Sequence, residues 1–168
     1  SLGFLGSATV KSLHVNNQEV GNVNLNGRWD KEKKSIALDG DLHYKNEKTF
    51  NFDGDYYLER EKNNINFELN FDRTNIAFVS AFVNPEVVSN IKGLVEGKLH
   101  ISGSLKEPVL EGAVSMLGGN AKIAMFGVNF GFNGNIGITK NKITIDNMPL
   151  IDEEGNTGSA TGTIFHDN

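Results

Sequence analysis

Residues 35–58 read SIALDGDLHYKNEKTFNFDGDYYL, and two stretches within them share one pattern. An apolar residue or glycine occupies every second position over 36–44, and again over 50–58. Successive side chains of a β-strand point to opposite faces, so each stretch predicts a strand with one apolar and one polar face. The polar residues 45–48 between them predict a turn, and strands joined by so short a turn pair antiparallel.

The same two-residue period extends outward in both directions. Polar segments at 31–34 and 60–64 again separate the alternating stretches, as turns do. The sequence therefore predicts one all-β domain over residues 1–168, an antiparallel meander of about ten strands. The further predicted strands cover 23–29, 65–71, 95–105, 110–116, 120–125, 128–138, 142–146 and 159–166.

One segment departs from this period. Apolar residues between positions 76 and 92 recur at helical spacing. Asn84-Pro85-Glu86 has the order of a helix start, with an N-cap, a proline at the first helical position and an acid in the first turn. Gly93 is a plausible helix stop. We expect one short helical insertion near 76–92, broken near Pro85, that covers an apolar surface or an end of the sheet.

Composition limits the function classes. The chain has 168 residues, 38% of them hydrophobic, which is enough for a core, and its net charge of -5 disfavours nucleic acid or an anionic membrane surface as a partner. It has no cysteine, which excludes disulfides and thiolate metal sites. No apolar run approaches the length of about 20 residues that spans a bilayer as a helix. Residues 1–4 carry no signal-peptide pattern.

Glycine recurs inside the predicted strands, always in phase with the apolar residues. Glycine in a strand costs about 0.5–1 kcal/mol relative to alanine, so its repeated use on one face indicates bends or close approaches. Together with eleven phenylalanines, mostly on the same face, this predicts a strongly curved sheet with an apolar concave side. The glycines could mark barrel corners or line a sheet that curls upon itself. They are Gly27, Gly40, Gly54, Gly97, Gly103, Gly112, Gly134 and Gly162.

The order of segments in the C-terminal half resembles a known family. GLVEGKLHISGSL at 93–105 is followed by PVLEG at 108–112, ITIDN at 143–147, LIDEEGN at 150–156 and ATGTIFH at 160–166. This succession resembles the C-terminal region of the TamB family, the large subunits of the bacterial translocation and assembly module, within the broader AsmA-like group. The N-terminal half is similar to the preceding repeats of that family.

The resemblance implies an extended sheet folded over an apolar groove, called a β-taco. Family members are anchored in the inner membrane, cross the periplasm towards an outer-membrane barrel partner, and take part in outer-membrane protein assembly and phospholipid transport. On this basis we expect the chain to be a periplasmic segment of a larger envelope protein whose anchor lies outside it. The expected partners are phospholipid acyl chains or outer-membrane protein β-strands, with no nucleic acid and no cofactor.

No catalytic or metal-binding constellation is evident. The four histidines are far apart in sequence, and neither 53–55 nor 152–156 has the spacing of a calcium loop. The serines lack a nucleophile context, and no glycine pair begins a phosphate loop. This leaves the apolar face as the candidate site for acyl chains. Its predicted members are Leu25, Trp29, Leu38, Leu42, Phe52, Tyr56, Phe67, Leu69, Leu99, Ile101, Val114, Phe130, Phe132, Ile136, Ile143 and Ile145.

Three function classes follow. The first is a non-enzymatic groove module that holds acyl chains or unfolded outer-membrane protein strands. The second is a closed, lipocalin-like barrel around a small hydrophobic ligand. The third is an adhesin or structural sandwich with a fully packed core and no ligand. An enzyme fits the sequence least well.

Overall fold

The computed structural model describes residues 5–15, 18–76, 80 and 84–165. These residues form a single antiparallel sheet of ten strands, in which each strand pairs with the strands before and after it in the chain. The predicted all-β antiparallel meander is confirmed. The strands are β1 (Leu5–Val15), β2 (Gln18–Asp30), β3 (Ser35–Tyr44), β4 (Glu47–Tyr57), β5 (Ile65–Asn75), β6 (Val88–Gly103), β7 (Pro108–Ile123), β8 (Val128–Thr139), β9 (Lys142–Asp152) and β10 (Thr157–Phe165).

The described sheet is open. Its strand order is linear, with β1 at one edge and β10 at the other. The alternative of a closed lipocalin-like barrel is therefore wrong for the described residues, because closure would require these two edges to pair.

The strand register aligns the apolar residues into rows that cross all ten strands. Two such rows lie on one face, and every position in them is apolar or glycine. The first row is Ala8, Leu25, Gly40, Phe52, Leu69, Leu99, Gly112, Ile138, Ile143 and Ile164. The second is Val10, Val23, Leu42, Phe50, Phe71, Gly97, Val114, Ile136, Ile145 and Gly162.

Between these two rows runs a row that faces the other side of the sheet. It begins with Thr9, Asn24, Asp41, Asn51 and Asn70, and the amide of Asn24 donates a hydrogen bond of 2.8 Å to Asp41 Oδ1. The sheet is thus amphipathic across its whole width, because the period-two pattern of each strand is held in phase with its neighbours.

Two glycines of the apolar face, Gly40 and Gly54, lie under aromatic side chains of the next strand. A Cβ added at Gly40 would stand 2.5 Å from the ring of Phe52, and one added at Gly54 would stand 2.6 Å from the ring of Phe67. Large rings therefore cover the gaps that glycine leaves, an arrangement that stabilises glycine-containing strands.

Irregular pairing occurs close to the second apolar row. Seven of the nine strand pairs have a register shift, for example between Val10 and Leu13, between Phe71 and Thr74 and between Met116 and Gly119. Ser12 and Arg73 adopt positive φ values of 53° within two of these shifts. A β-bulge bends its strand and increases the local twist, so this line of bulges bends the sheet.

The bend is strongest around β6. Strands β5 and β7 flank β6, yet Cα atoms of the two approach within 8 Å of each other. In a flat sheet, strands two places apart are separated by about 9.5 Å, so the sheet is bent at β6.

A packed core fills the inner side of this bend. Its buried members share β6, β7 and the segment that follows β5, and side chains from β5 and β8 pack against them. The buried members are Ile76, Ile91, Val95, Leu99, Val114, Met116 and Ala121.

The chain exposes more surface than a compact protein of its size. Its solvent-accessible area is 11058 Å², whereas a compact monomer of 18.4 kDa exposes about 8,200 Å². An open sheet with a core under only part of its apolar face accounts for the excess.

The predicted helical insertion near 76–92 is wrong over its second half. Residues 84–87 form a single turn, in which the Asn84 side chain accepts a hydrogen bond of 2.9 Å from the Glu86 amide. Residues 88–92 already belong to β6, because their apolar side chains pack against the sheet and the Asn90 bulge disguises the strand period. Residues 77–79 and 81–83 of the expected insertion lie outside the described residues.

Two strand predictions also need correction. The sequence did not predict β1, whose alternation uses small residues and changes phase at the bulge near Ser12. The predicted strands 110–116 and 120–125 are one strand, β7, which continues through a bulge between Met116 and Gly119.

Candidate functional site

An apolar cavity of about 280 Å³ opens on the apolar face of β1–β5. We call it the main cavity. Its exposed wall is made by carbon atoms, although two of the lining residues are polar. The lining residues are Leu13, Val20, Val23, Asp41, Leu42, Phe50, Phe52, Leu69, Phe71 and Thr74.

Aromatic rings form one wall of the main cavity. The ring centroids of Phe50 and Phe71 lie 5.0 Å apart, and those of Phe50 and Phe52 lie 6.2 Å apart. Phe52 in turn meets Phe67 edge to face at 6.0 Å. Phe50 and Phe71 are directly opposed on neighbouring strands, Phe52 and Phe67 are diagonal, and Phe50 and Phe52 are two residues apart on β4. Such contacts hold each ring in place.

Hydrogen bonds to backbone carbonyls satisfy the hydroxyls beside the cavity. The hydroxyl of Thr74, a residue only 2% exposed, donates to the carbonyl oxygen of Thr49. The Thr49 hydroxyl donates to the carbonyl of Leu42 at 3.4 Å. Because the Thr74 oxygen is engaged away from the cavity, this residue contributes its carbon atoms to the apolar wall.

A second cavity of about 400 Å³ lies beside the main cavity and shares Phe52 with it. Leu25 and Leu38 line it together with residues of the β1 edge, from Gly6 to Ala8. The two cavities therefore lie side by side along the apolar face of the N-terminal half of the sheet.

The sixteen predicted site residues fall into three groups. Five of them, Leu25, Leu38, Leu42, Phe52 and Leu69, line one or both cavities. A second group makes up the core around β6 and β7, where Leu99 and Val114 are buried and Phe132 and Ile136 pack against them. The remaining residues are half-buried elsewhere on the sheet, and they are Trp29, Tyr56, Phe67, Ile101, Phe130, Ile143 and Ile145.

Several cavity residues were missed from the sequence. Phe50, Phe71 and Val23 follow the same alternation as the predicted set, so the period alone could have found them. Leu13 carried no such signal, because the bulge before it reverses the phase of β1.

The Asp53-Gly54-Asp55 segment lies within β4, and its second carboxylate serves a structural role. Asp55 Oδ2 accepts a hydrogen bond from Lys33 Nζ at 2.8 Å, and Oδ1 accepts one from the buried Ser35 hydroxyl at 2.8 Å. Burial alone would raise the pKa of Asp55. The hydrogen bonds from Lys33 and Ser35 and the charges of Lys33 and Arg28 outweigh burial and lower the pKa below its ordinary value. Both carboxylate oxygens are thus occupied.

The acidic segment 152–156 is a hairpin turn, as predicted. The Asp152 carboxylate accepts hydrogen bonds from the Asn156 side chain and from the amides of Glu154 and Asn156, all between 2.8 and 2.9 Å. The Asn156 side chain and these amides lower the pKa of Asp152 below its ordinary value. Among the described residues, no three histidine, aspartate or glutamate side chains come close enough together to hold a metal ion.

Comparison with protein-family models, curated proteins and solved structures finds no match to the chain. Within the described part of the chain, no helix has the length and hydrophobicity needed to cross a membrane.

Proposed function

We propose that the chain is a non-enzymatic module that holds acyl chains in the main cavity and the adjoining second cavity. The observation that carries this proposal is the apolar wall of the main cavity, which opens on the apolar face of β1–β5. Such a wall offers area burial and no directed hydrogen bond, which suits a hydrocarbon chain better than a polar metabolite.

The size of the cavities suits the binding of part of an acyl chain. Burial contributes about 0.8 kcal/mol for each methylene, so six methylenes in the main cavity would contribute about 5 kcal/mol before the cost of association. The second cavity shares Phe52 with the main cavity, and it offers the remaining carbons of the acyl chain an apolar surface.

The biological setting in this proposal rests on the family resemblance of the sequence. We propose a periplasmic segment of an inner-membrane-anchored, TamB-type protein, acting in phospholipid transport or outer-membrane assembly beside an outer-membrane barrel partner. A sheet that folds over an apolar groove would suit either cargo, an acyl chain or an unfolded outer-membrane protein strand.

Photo-crosslinking tests the acyl-chain proposal directly. A fatty acid that bears a diazirine on its chain is incubated with the protein, irradiated, and its attachment sites are mapped by mass spectrometry of peptides. We expect labelling on β1–β5, especially near Phe50, Phe52 and Phe71. Labelling spread evenly over β8–β10, or labelling that does not saturate against added unlabelled fatty acid, would contradict the proposal.

A variant that places a charge in the cavity wall tests the same assignment. Phe52→Asp should reduce labelling about tenfold or more. A carboxylate is costly to desolvate, so it would stay hydrated and bring water into the apolar wall. Phe126→Asp is the control, since Phe126 is 63% exposed at the turn after β7 and lines neither cavity. Far-UV circular dichroism establishes that both variants keep the sheet. Equal labelling of the two folded variants would refute the assignment of the cavity.

A further inference from the structure

Large apolar side chains are exposed together at the turn between β7 and β8. Met125 is 82% exposed and Phe126 is 63% exposed in this turn, and Val87 of the turn before β6 is 58% exposed. The Ala124 amide donates a hydrogen bond of 3.0 Å to the Val87 carbonyl, so the two turns lie side by side. We call residues 124–127 together with Val87 the apolar tip. Clustered exposed apolar side chains indicate an interaction surface, whereas single ones do not.

The apolar tip satisfies its own backbone donors. The amides of Phe126 and Gly127 donate to the Ile123 carbonyl at 3.1 and 3.0 Å, and the Gly127 amide also lies 3.1 Å from the Ala124 carbonyl. With the Ala124 amide bonded to Val87, three of the four amides in 124–127 have a partner inside the protein. An apolar medium offers no partner to a backbone amide, so a turn whose amides are already bonded enters such a medium at lower cost.

The apolar tip lies beyond the end of β5. Asn75 pairs with Leu94 at the last position shared by β5 and β6, and β6 continues past this pair over residues 88–93. At the end of that extension Val88 pairs with Ile123, directly before the tip. A projecting apolar tip suits a fluid bilayer, which closes around it, better than a folded protein partner, whose surface must match it in shape.

Charge around the apolar tip selects the kind of bilayer. Residues 123–128 carry no charge. Close to them, however, the Asn129 side chain donates a hydrogen bond to the Glu153 carboxylate of the acidic turn 152–156. The whole chain has a net charge of -5. Since like charges repel, anionic lipid should weaken docking, and the occupant that fits is a zwitterionic bilayer.

We propose that the apolar tip docks the protein on a zwitterionic bilayer, with the side chains of Met125 and Phe126 in the interfacial region. Odd-numbered strands of a meander finish at the same end, so the tip shares its end of the sheet with the last residues of β1, β3 and β5. Leu13, Leu42 and Thr74 of the main cavity lie within two residues of those strand ends. Docking therefore brings the main cavity near a source of acyl chains. This consequence rests on the proposed function, whereas the docking itself does not.

Sedimentation with phosphatidylcholine vesicles tests the docking. The unmodified chain should sediment with the vesicles. Met125→Asp should lower its partition coefficient about tenfold or more, because a carboxylate is costly to desolvate. Leu105→Asp is the matched control and should bind as the unmodified chain does, because Leu105 is 68% exposed in the turn after β6, at the opposite end of the sheet. Far-UV circular dichroism establishes that both variants keep the sheet.

A fluorophore on a single cysteine locates the inserted part of the chain. The chain has no cysteine, so Met125→Cys and Leu105→Cys each accept one environment-sensitive NBD group. When phosphatidylcholine vesicles are added, the emission at position 125 should shift to the blue and should be quenched by lipids that carry a nitroxide on the acyl chain. The emission at position 105 should not change.

Four results would overturn the proposal. They are an unmodified chain that does not bind phosphatidylcholine vesicles, an equal loss of binding in the two Asp variants, and tighter binding when phosphatidylglycerol replaces part of the phosphatidylcholine. The fourth is a dimer that forms without vesicles and that Met125→Asp abolishes, which would assign the tip to a second copy of the chain.

The docking and acyl-chain proposals fail separately. Phe52→Asp should keep vesicle binding and lose labelling by the dissolved diazirine fatty acid. Met125→Asp and Phe126→Asp should lose vesicle binding and keep that labelling, because a dissolved fatty acid reaches the main cavity without a bilayer.

Discussion

Replacing Gly97 with alanine should destabilise the protein far more than the same substitution at Gly137. Gly97 lies in the middle of β6 with a φ of 134°, a conformation that residues with a side chain rarely adopt. An added Cβ would stand 2.5 Å from the carbonyl oxygen of Ala113 and 2.9 Å from the Cα of Val114. Both atoms belong to the backbone of β7, so no side-chain rotation relieves the overlap.

The expected loss can be built from two contributions. An unfavourable positive φ costs about 1–2 kcal/mol for a residue with a Cβ. Forcing an extra methyl group into a packed contact costs about 1–3 kcal/mol. Gly97→Ala should therefore lower the free energy of unfolding by about 2–5 kcal/mol, a large part of the stability of an ordinary domain.

Gly137→Ala is the matched control. Gly137 lies within β8, its φ is not in the positive range, and an added Cβ would meet nothing within 4 Å. At such a site alanine restricts the unfolded chain and stabilises the protein by about 0.4–1 kcal/mol. Urea unfolding, followed by far-UV circular dichroism and by the fluorescence of Trp29, measures both variants. A decrease in the free energy of unfolding of less than about 1 kcal/mol in Gly97→Ala, or an equal decrease in both variants, would contradict this prediction.

The carboxylates offer further tests. Asp55→Ala should lower the free energy of unfolding at neutral pH by about 2 kcal/mol, because the buried Ser35 hydroxyl loses its acceptor. Since folding lowers the pKa of Asp55, the contribution of its charge is complete above the unfolded pKa and disappears as pH falls through the folded pKa, so the difference between the variant and the wild type should shrink in acid. Asp53→Ala, on the same strand but exposed, should change stability at neutral pH by less than about 0.5 kcal/mol. For Asp152, an NMR titration should give a carboxyl midpoint below that of an unperturbed aspartate, and Asn156→Ala should raise it towards the ordinary value.

The alternating pattern predicted the strands well because it reports which face each side chain occupies. The polar breaks at 31–34 and 60–64 coincide with connections between strands, and the apolar phases of β2–β5 align in register as the pattern requires. The pattern failed where a bulge shifts the phase. Ser12, Arg73 and Asn90 adopt positive φ inside strands, and no residue type at those positions distinguishes a bulge from a continuous strand.

The candidate site was likewise predicted only in part from the sequence. The sequence identified the apolar face, and five of its sixteen predicted residues line the two cavities. Leu99 and Val114 belong to the same rows as Leu25 and Leu42, so alternation cannot distinguish the residues packed in the core from those that line a cavity. The bend at β6 separates them, because it folds β5, β6 and β7 together and fills the space there with their own side chains.

By itself, the sequence determined that this protein is an antiparallel β-sheet with one continuous apolar face, since period-two alternation is a local property of each strand. The tertiary structure decided where that face is packed and where it stays open. Packing depends on the bulges that bend the sheet and on the absence of pairing between β1 and β10 in its described part. Both are relations between residues distant in the chain, and for that reason no local pattern encodes them.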